Sequence, residues 1–257
     1  MRLHVHEWGE PGAPALVALH GVTAHGRRFR RLAEEQLASR FRVVAPDLRG
    51  HGRSEWEPPW RIETYVADLV ETLDDLGIRS AIFVGHSFGG RLVLELAAYA
   101  PGRVERAVLL DPAIQILPHV AYDHADDQRR ERVYDSIEQA VDERIAGDPG
   151  NPRDIVEEDM REHLEAGKDG KLRPRYSQAC VVALYAELAT EPPAPETLRV
   201  PTLIVHAPAF ALVREQQLSD YDAVLGQNLT VEAVPGRHMV FWDAYDQTAA
   251  AIETFLG

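Results

Sequence analysis

The sequence predicts an α/β fold, a mostly parallel twisted sheet flanked by helices and interrupted by a helical insertion that caps one edge. Three observations carry this expectation. Short apolar runs ending in turn residues alternate with longer segments of helical period, as strand–helix–strand units require. The run Ala81-Ile82-Phe83-Val84 is apolar without interruption, as a strand buried on both faces must be. The charged stretch 113–199 breaks the alternation, bounded by Pro112 and by Pro192-Pro193-Ala194-Pro195.

In chain order, Leu3 to Trp8 alternates as an edge strand does. Ala15 to His20, Phe41 to Asp47, Ala81 to Gly85 and Arg106 to Asp111 read as strands ending in turn signals. Ile62 to Leu76 and Phe88 to Tyr99 place apolar residues three and four apart, predicting amphipathic helices. The pattern resumes with strands at Thr202 to His206 and Leu229 to Val234, then a helix from about Ala244 to Phe255. The expected core is therefore 1–112 with 200–257. The segment 113–199, dense in charge at Asp123 to Arg132 and Asp154 to Arg161 and without strand-like runs, is the expected helical cap. Ligands of open α/β sheets bind beyond the carboxyl ends of the strands, so a cap there covers the binding edge.

The chain has 257 residues, enough for one domain with a modest insertion. Its 45% hydrophobic and 26% charged residues are ordinary for a globular protein. A net charge of −14 argues against nucleic acid or an anionic membrane as partner. Basic residues are nearly all Arg, with Lys only at 168 and 171. The single cysteine, Cys180, lies in an apolar helical run and reads as a buried inert thiol. No signal-peptide pattern and no run of about 20 apolar residues is present, so a cytoplasmic setting is expected.

The strongest chemical signal is Gly85-His86-Ser87-Phe88-Gly89-Gly90, directly after a buried strand and before a helix. Glycines two residues either side let strand and helix approach closely enough to hold a serine in a strained turn. That turn exposes the serine oxygen above the sheet and aims the helix N-terminus at a developing oxyanion. The competing reading is a mere N-cap serine. His20-Gly21-Val22-Thr23 ends the Ala15 strand. Acyl transfer needs two backbone donors on one oxygen; Phe88 and Val22 are the candidates. His20 either braces this loop or lines the substrate pocket, and His25 and His86 are expected to line it. Serine needs a base near pH 7, and among 11 histidines only His238, in Pro235-Gly236-Arg237-His238-Met239, lies between the last strand and the last helix.

With these motifs, with Ala45-Pro46-Asp47-Leu48-Arg49-Gly50-His51-Gly52-Arg53-Ser54 and with Val108-Leu109-Leu110-Asp111-Pro112, the chain resembles the α/β-hydrolase superfamily nearly end to end, specifically its small capped lipase- and esterase-like members. The cap is the least specific part of the resemblance. Asp47 is assigned to holding its Gly-rich turn. In most members the acid behind the histidine follows the strand matching Thr202 to His206, but here that loop, Ala207-Pro208-Ala209-Phe210-Ala211-Leu212-Val213, has no carboxylate. The resemblance supplies a second position, the end of the strand before the cap, and Asp111 occupies it. Members that keep the usual acid also carry a structural aspartate there, so Glu215, Asp220 and Asp222 stand as alternatives.

The resemblance implies a carboxylic ester hydrolase working through Ser87, His238 and Asp111, with no metal or organic cofactor. Serine in place of aspartate at the elbow argues against epoxide hydrolases and haloalkane dehalogenases. Cofactor-free perhydrolases, lactonases and carbon–carbon bond hydrolases share the serine, and a non-catalytic receptor shares the scaffold. The charged cap favours small soluble esters of short or medium acyl length as substrates.

Overall fold

The computed structural model describes residues 1–257. In chain order, β1 (Val5–Trp8) and β2 (Ala15–Leu19) precede the short α1 (Arg30–Leu32), β3 (Arg42–Pro46), α2 (Ile62–Asp75), β4 (Ala81–His86), α3 (Phe88–Tyr99) and β5 (Val104–Leu110). Next come α4 (Pro118–Asp127), α5 (Ile137–Gly147), α6 (Arg153–His163), β6 (Leu164–Ala166), β7 (Leu172–Pro174) and α7 (Gln178–Leu188). The chain ends with β8 (Thr202–His206), α8 (Glu215–Leu225), β9 (Leu229–Ala233), α9 (Val240–Asp243) and α10 (Tyr245–Leu256).

Seven strands form one sheet in the order β1-β3-β2-β4-β5-β8-β9. Only β1 runs antiparallel, pairing with β3 at the edge, while β2, β3, β4, β5, β8 and β9 are parallel. Side chains alternate across each strand, so Val17, Leu19 and Phe83 enter one apolar cluster and Leu16, Ala18 and Val84 the other. The two clusters hold 36 and 32 buried residues, so both faces are covered almost equally. Each fully buried Leu, Ile or Phe contributes roughly 1.5–3 kcal/mol. Helix α3 lies under the sheet with nine of its twelve residues buried, which explains its near-continuous apolar sequence.

Two details differ from the expectation. Strand β5 begins at Val104, because a register shift lets Val104 pair with Ala81 ahead of the Arg106–Ile82 pair. The segment 113–199 also contains strands: β6 and β7 form an antiparallel hairpin. Each has three residues, and the pair Glu165–Arg173 facing across it hides any apolar signal. Gly170, at φ 75°, closes its turn.

Helices α5 and α7 start on serines that cap them, Ser136 Oγ accepting from Gln139 N at 3.1 Å and Ser177 Oγ from Cys180 N at 3.3 Å. The buried Arg91 of α3 donates to Ile114 O at 2.7 Å and Glu191 O at 2.8 Å, and pairs with Glu95 at 2.7 Å. It thereby holds the chain leaving β5 and the chain returning to β8 together. Arg28 and Asp159 of α6 form a buried two-pronged pair at 2.9 and 2.7 Å. No helix is long and apolar enough to cross a membrane.

Candidate active site

Ser87 sits in the turn between β4 and α3 at φ 55°, ψ −116°, a conformation that costs a side-chain-bearing residue roughly 1–3 kcal/mol. Its backbone is over-determined: Ser87 N donates to Leu110 O at 3.1 Å, and Ser87 O accepts from Gly90 N and Ala113 N, both at 3.0 Å. Its hydroxyl caps nothing. A Cβ on Gly89 would lie 2.0 Å from Leu19 O, and one on Gly85 2.5 Å from Gly89 O. Only glycine permits this approach.

His238 follows β9 in a loop held by Asp243, which accepts from Arg237 N at 2.8 Å and from Asn151 at 2.5 Å. Its ring lies between Phe210, stacked at 5.0 Å, and His86 at 4.6 Å. Asp111 Oδ2 lies 2.7 Å from His238 Nδ1. An ionised carboxylate only accepts, so Nδ1 carries the proton and Nε2 is left as the basic nitrogen. Asp111 is inaccessible to solvent at 0% exposure. It adopts φ 39°, donates through its amide to Val205 O at 2.7 Å, and accepts from Ala207 N at 3.3 Å. None of Glu215, Asp220 and Asp222 hydrogen-bonds His238; Asp220 instead accepts from Gln216 on α8.

Burial disfavours charge on both partners: it pushes the Asp111 carboxyl up to about 7 and draws the His238 imidazole below its ordinary value, with Arg144 acting the same way on the histidine. The side chain of His238 keeps 26% of its surface accessible, so its loss of hydration is partial. The 2.7 Å contact opposes both shifts, because carboxylate and imidazolium stabilise each other. Ser87 and His238 line one cavity of about 120 Å³, and no hydrogen bond joins them. Val22 N has no acceptor in the protein, and Phe88 is the first residue of α3, whose amide has no intrahelical acceptor.

His86 lines this cavity. It donates from Nε2 to His238 O at 2.9 Å, leaving Nδ1 unpaired. His20 and His25, expected at the pocket, do not line it. His20 faces inward, donating from Nδ1 to Gly21 O at 2.8 Å and accepting at Nε2 from Leu48 N at 2.9 Å, so it braces the loop. His25 turns toward Asp159, 3.1 Å away, and stacks on His163.

The cavity opens into a second lobe of about 490 Å³ that does not reach Ser87; Arg28, His124, Arg144, Phe210, His238 and Met239 line both. Phe210 and Arg144 were not singled out by the sequence. The first belongs to the loop without a carboxylate, and the second is one more charge on a charged helix. Outside the cavity, His4, His6 and Asp47 have ligand atoms within 4.8 Å of one another. The Asp47 carboxylate is already engaged by Gly26 N at 2.8 Å, Arg53 N at 2.9 Å and His6 at 3.1 Å, which holds the glycine-rich turn.

Residues 14–147 match the model of the alpha/beta hydrolase fold family. The lipase LipV of Mycobacterium tuberculosis is 33% identical over 261 residues, covering 99% of this chain and 98% of that protein. The 2-(acetamidomethylene)succinate hydrolase of Mesorhizobium japonicum is 30% identical over 99% of this chain and 91% of its own. Among solved structures, that of an E-2-(acetamidomethylene)succinate hydrolase superposes with a TM-score of 0.90 at 27% identity, covering 99% of this chain and 94% of the other.

Proposed function

The chain belongs to the α/β-hydrolase fold family, and from that premise we propose that it cleaves carboxylic esters through Ser87, His238 and Asp111 by way of an acyl-enzyme. Ser87 Oγ attacks the ester carbonyl as His238 Nε2 takes its proton. The amide hydrogens of Val22 and Phe88 bind the oxyanion, and the alcohol leaves with the proton from His238. Water then enters, gives a proton to the same nitrogen, and releases the acid. The hydrogen bond between Ser87 and His238 forms as the substrate binds, since such contacts often tighten only in the complex. Residues 113–199 form the cap that covers the reaction.

The observation that supports this reading best is the 2.7 Å pair of Asp111 with His238 beside a serine whose hydroxyl is committed to no structural bond. The test is turnover of p-nitrophenyl acetate or butyrate by the wild type and by Ser87→Ala. Loss of turnover in the variant is the expected result. Hydrolysis that survives it, or binding of ligands without Ser87-dependent turnover, would leave a receptor or another chemistry on this scaffold.

A further inference from the structure

The chain carries a net charge of −14, yet four arginines, Arg28, Arg132, Arg144 and Arg237, line the larger lobe of the cavity. Three of them have acidic partners. Arg28 is bidentate with Asp159 at 2.9 and 2.7 Å, Arg132 meets Asp127 at 2.6 Å, and Arg237 lies 3.6 Å from Asp148.

Arg144 is different. Its guanidinium makes no ion pair or hydrogen bond, and its Nε is buried without a partner. It lines both lobes, and so borders the small one that holds Ser87 and His238. Burial and the neighbouring Arg28 both disfavour its charge. The charges of Asp159, Asp148 and Asp243 favour it, but none of these acids reaches ion-pair distance: Asp159 is held by Arg28, Asp243 by Asn151 and Arg237 N, and Asp148, which caps the end of α5, has a buried Oδ1 without a hydrogen bond. The ion-pair partner of Asp148 is Arg237, 3.6 Å away. An unmatched guanidinium in a partly dry cavity is costly unless an anion completes it, and its planar fork fits a carboxylate with two parallel hydrogen bonds.

Resting on the Ser87 reading above, we propose that Arg144 binds a carboxylate of the substrate, and that the substrate is an anionic ester such as a monoester of a dicarboxylic acid. The free carboxylate lies on Arg144 while the ester carbonyl lies at Ser87. The uncharged acyl chain between them passes Phe210 and Met239, which line both lobes.

The test compares two esters of similar length, mono-p-nitrophenyl glutarate and p-nitrophenyl valerate, on the wild type, Arg144→Gln and Arg144→Lys. In the wild type kcat/KM for the glutarate ester is expected to exceed that for the valerate by about tenfold or more. Arg144→Gln is expected to remove about tenfold of that preference, chiefly as a rise in KM, and Arg144→Lys to restore part of it. Equal losses on both esters, or a wild-type preference for the valerate, overturn the proposal. Failure of the Ser87 reading is seen separately, as hydrolysis of both esters that survives Ser87→Ala. In that event calorimetric titration with glutarate decides the anion site alone: saturable binding lost in Arg144→Gln sustains it, and no binding by the wild type overturns it.

Discussion

Asp111 Oδ2 and His238 Nδ1 lie 2.7 Å apart although 127 residues separate them. The carboxylate comes from the end of β5, not from the loop after β8, where Phe210 stacks on the histidine instead.

Replacing Asp111 by Asn keeps the volume but removes the charge that sets the tautomer of His238. Turnover of p-nitrophenyl butyrate by Asp111→Asn should fall on the order of 10⁴-fold with the fold intact. Glu215→Gln, on the exposed side of α8, should change it little. Near-normal kcat in the Asn variant, with an unaltered circular dichroism melt, would refute this role for Asp111.

Gly89 is required by space. The Cβ of Gly89→Ala would stand 2.0 Å from Leu19 O, a backbone atom of a central strand that cannot step aside. We expect a loss on the order of 3 kcal/mol or failure to fold, read as the midpoint of urea unfolding. An unchanged midpoint would contradict the close approach of β2 and α3 at Gly89.

Asp159 joins the loop after β2 to α6. Asp159→Ala would strand the buried Arg28 guanidinium and remove the neighbour of His25. The expected cost is about 3–5 kcal/mol, and cleavage within 113–199 by a protease should accelerate. A variant as stable and as protease-resistant as the wild type would contradict a buried pair here.

Acidification should destabilise the fold through its buried histidines. Burial holds His20, His86 and His163 well below their ordinary value of 6.5. Above about pH 6.5 neither folded nor unfolded chain protonates them, so their contribution is fully present. Below it the unfolded chain takes up protons that the folded chain refuses. Stability therefore falls as pH falls toward the lower folded values, by up to about 1.4 kcal/mol per pH unit for each histidine. Burial of Asp111 acts with the opposite sign, since a raised carboxyl stabilises the fold more as pH falls, but the 2.7 Å contact with His238 opposes that shift. Burial also raises Asp243, and it also lowers His51 and His206, so the buried histidines outnumber the raised carboxyls. A urea midpoint that rises between pH 6.5 and 5 would reverse this conclusion.

Much of the architecture is legible in the sequence, because periodicity is local. Ala81-Ile82-Phe83-Val84 is a strand buried on both faces, Phe88–Tyr99 is a helix, and the turn between them holds Ser87. The edge strand, the parallel strands and the two helices appear with ends shifted by at most two residues. The hairpin of β6 and β7 was not legible, since three-residue strands bearing Glu165 and Arg173 have no apolar period to show.

The sequence by itself determined the strand–turn–helix that presents Ser87, the loop that carries His238, and the absence of a carboxylate between Ala207 and Val213. Tertiary structure alone decided that Asp111 meets His238, that His20 and His25 turn away from the cavity, and that Arg144 is left without an ion pair or hydrogen bond. The reason is physical. A strand, a turn or a helix is specified by residues within a few positions of one another, whereas these contacts depend on the register of β5 against β8 and on where α5 and α6 dock. Those placements are set by burial summed over the whole core.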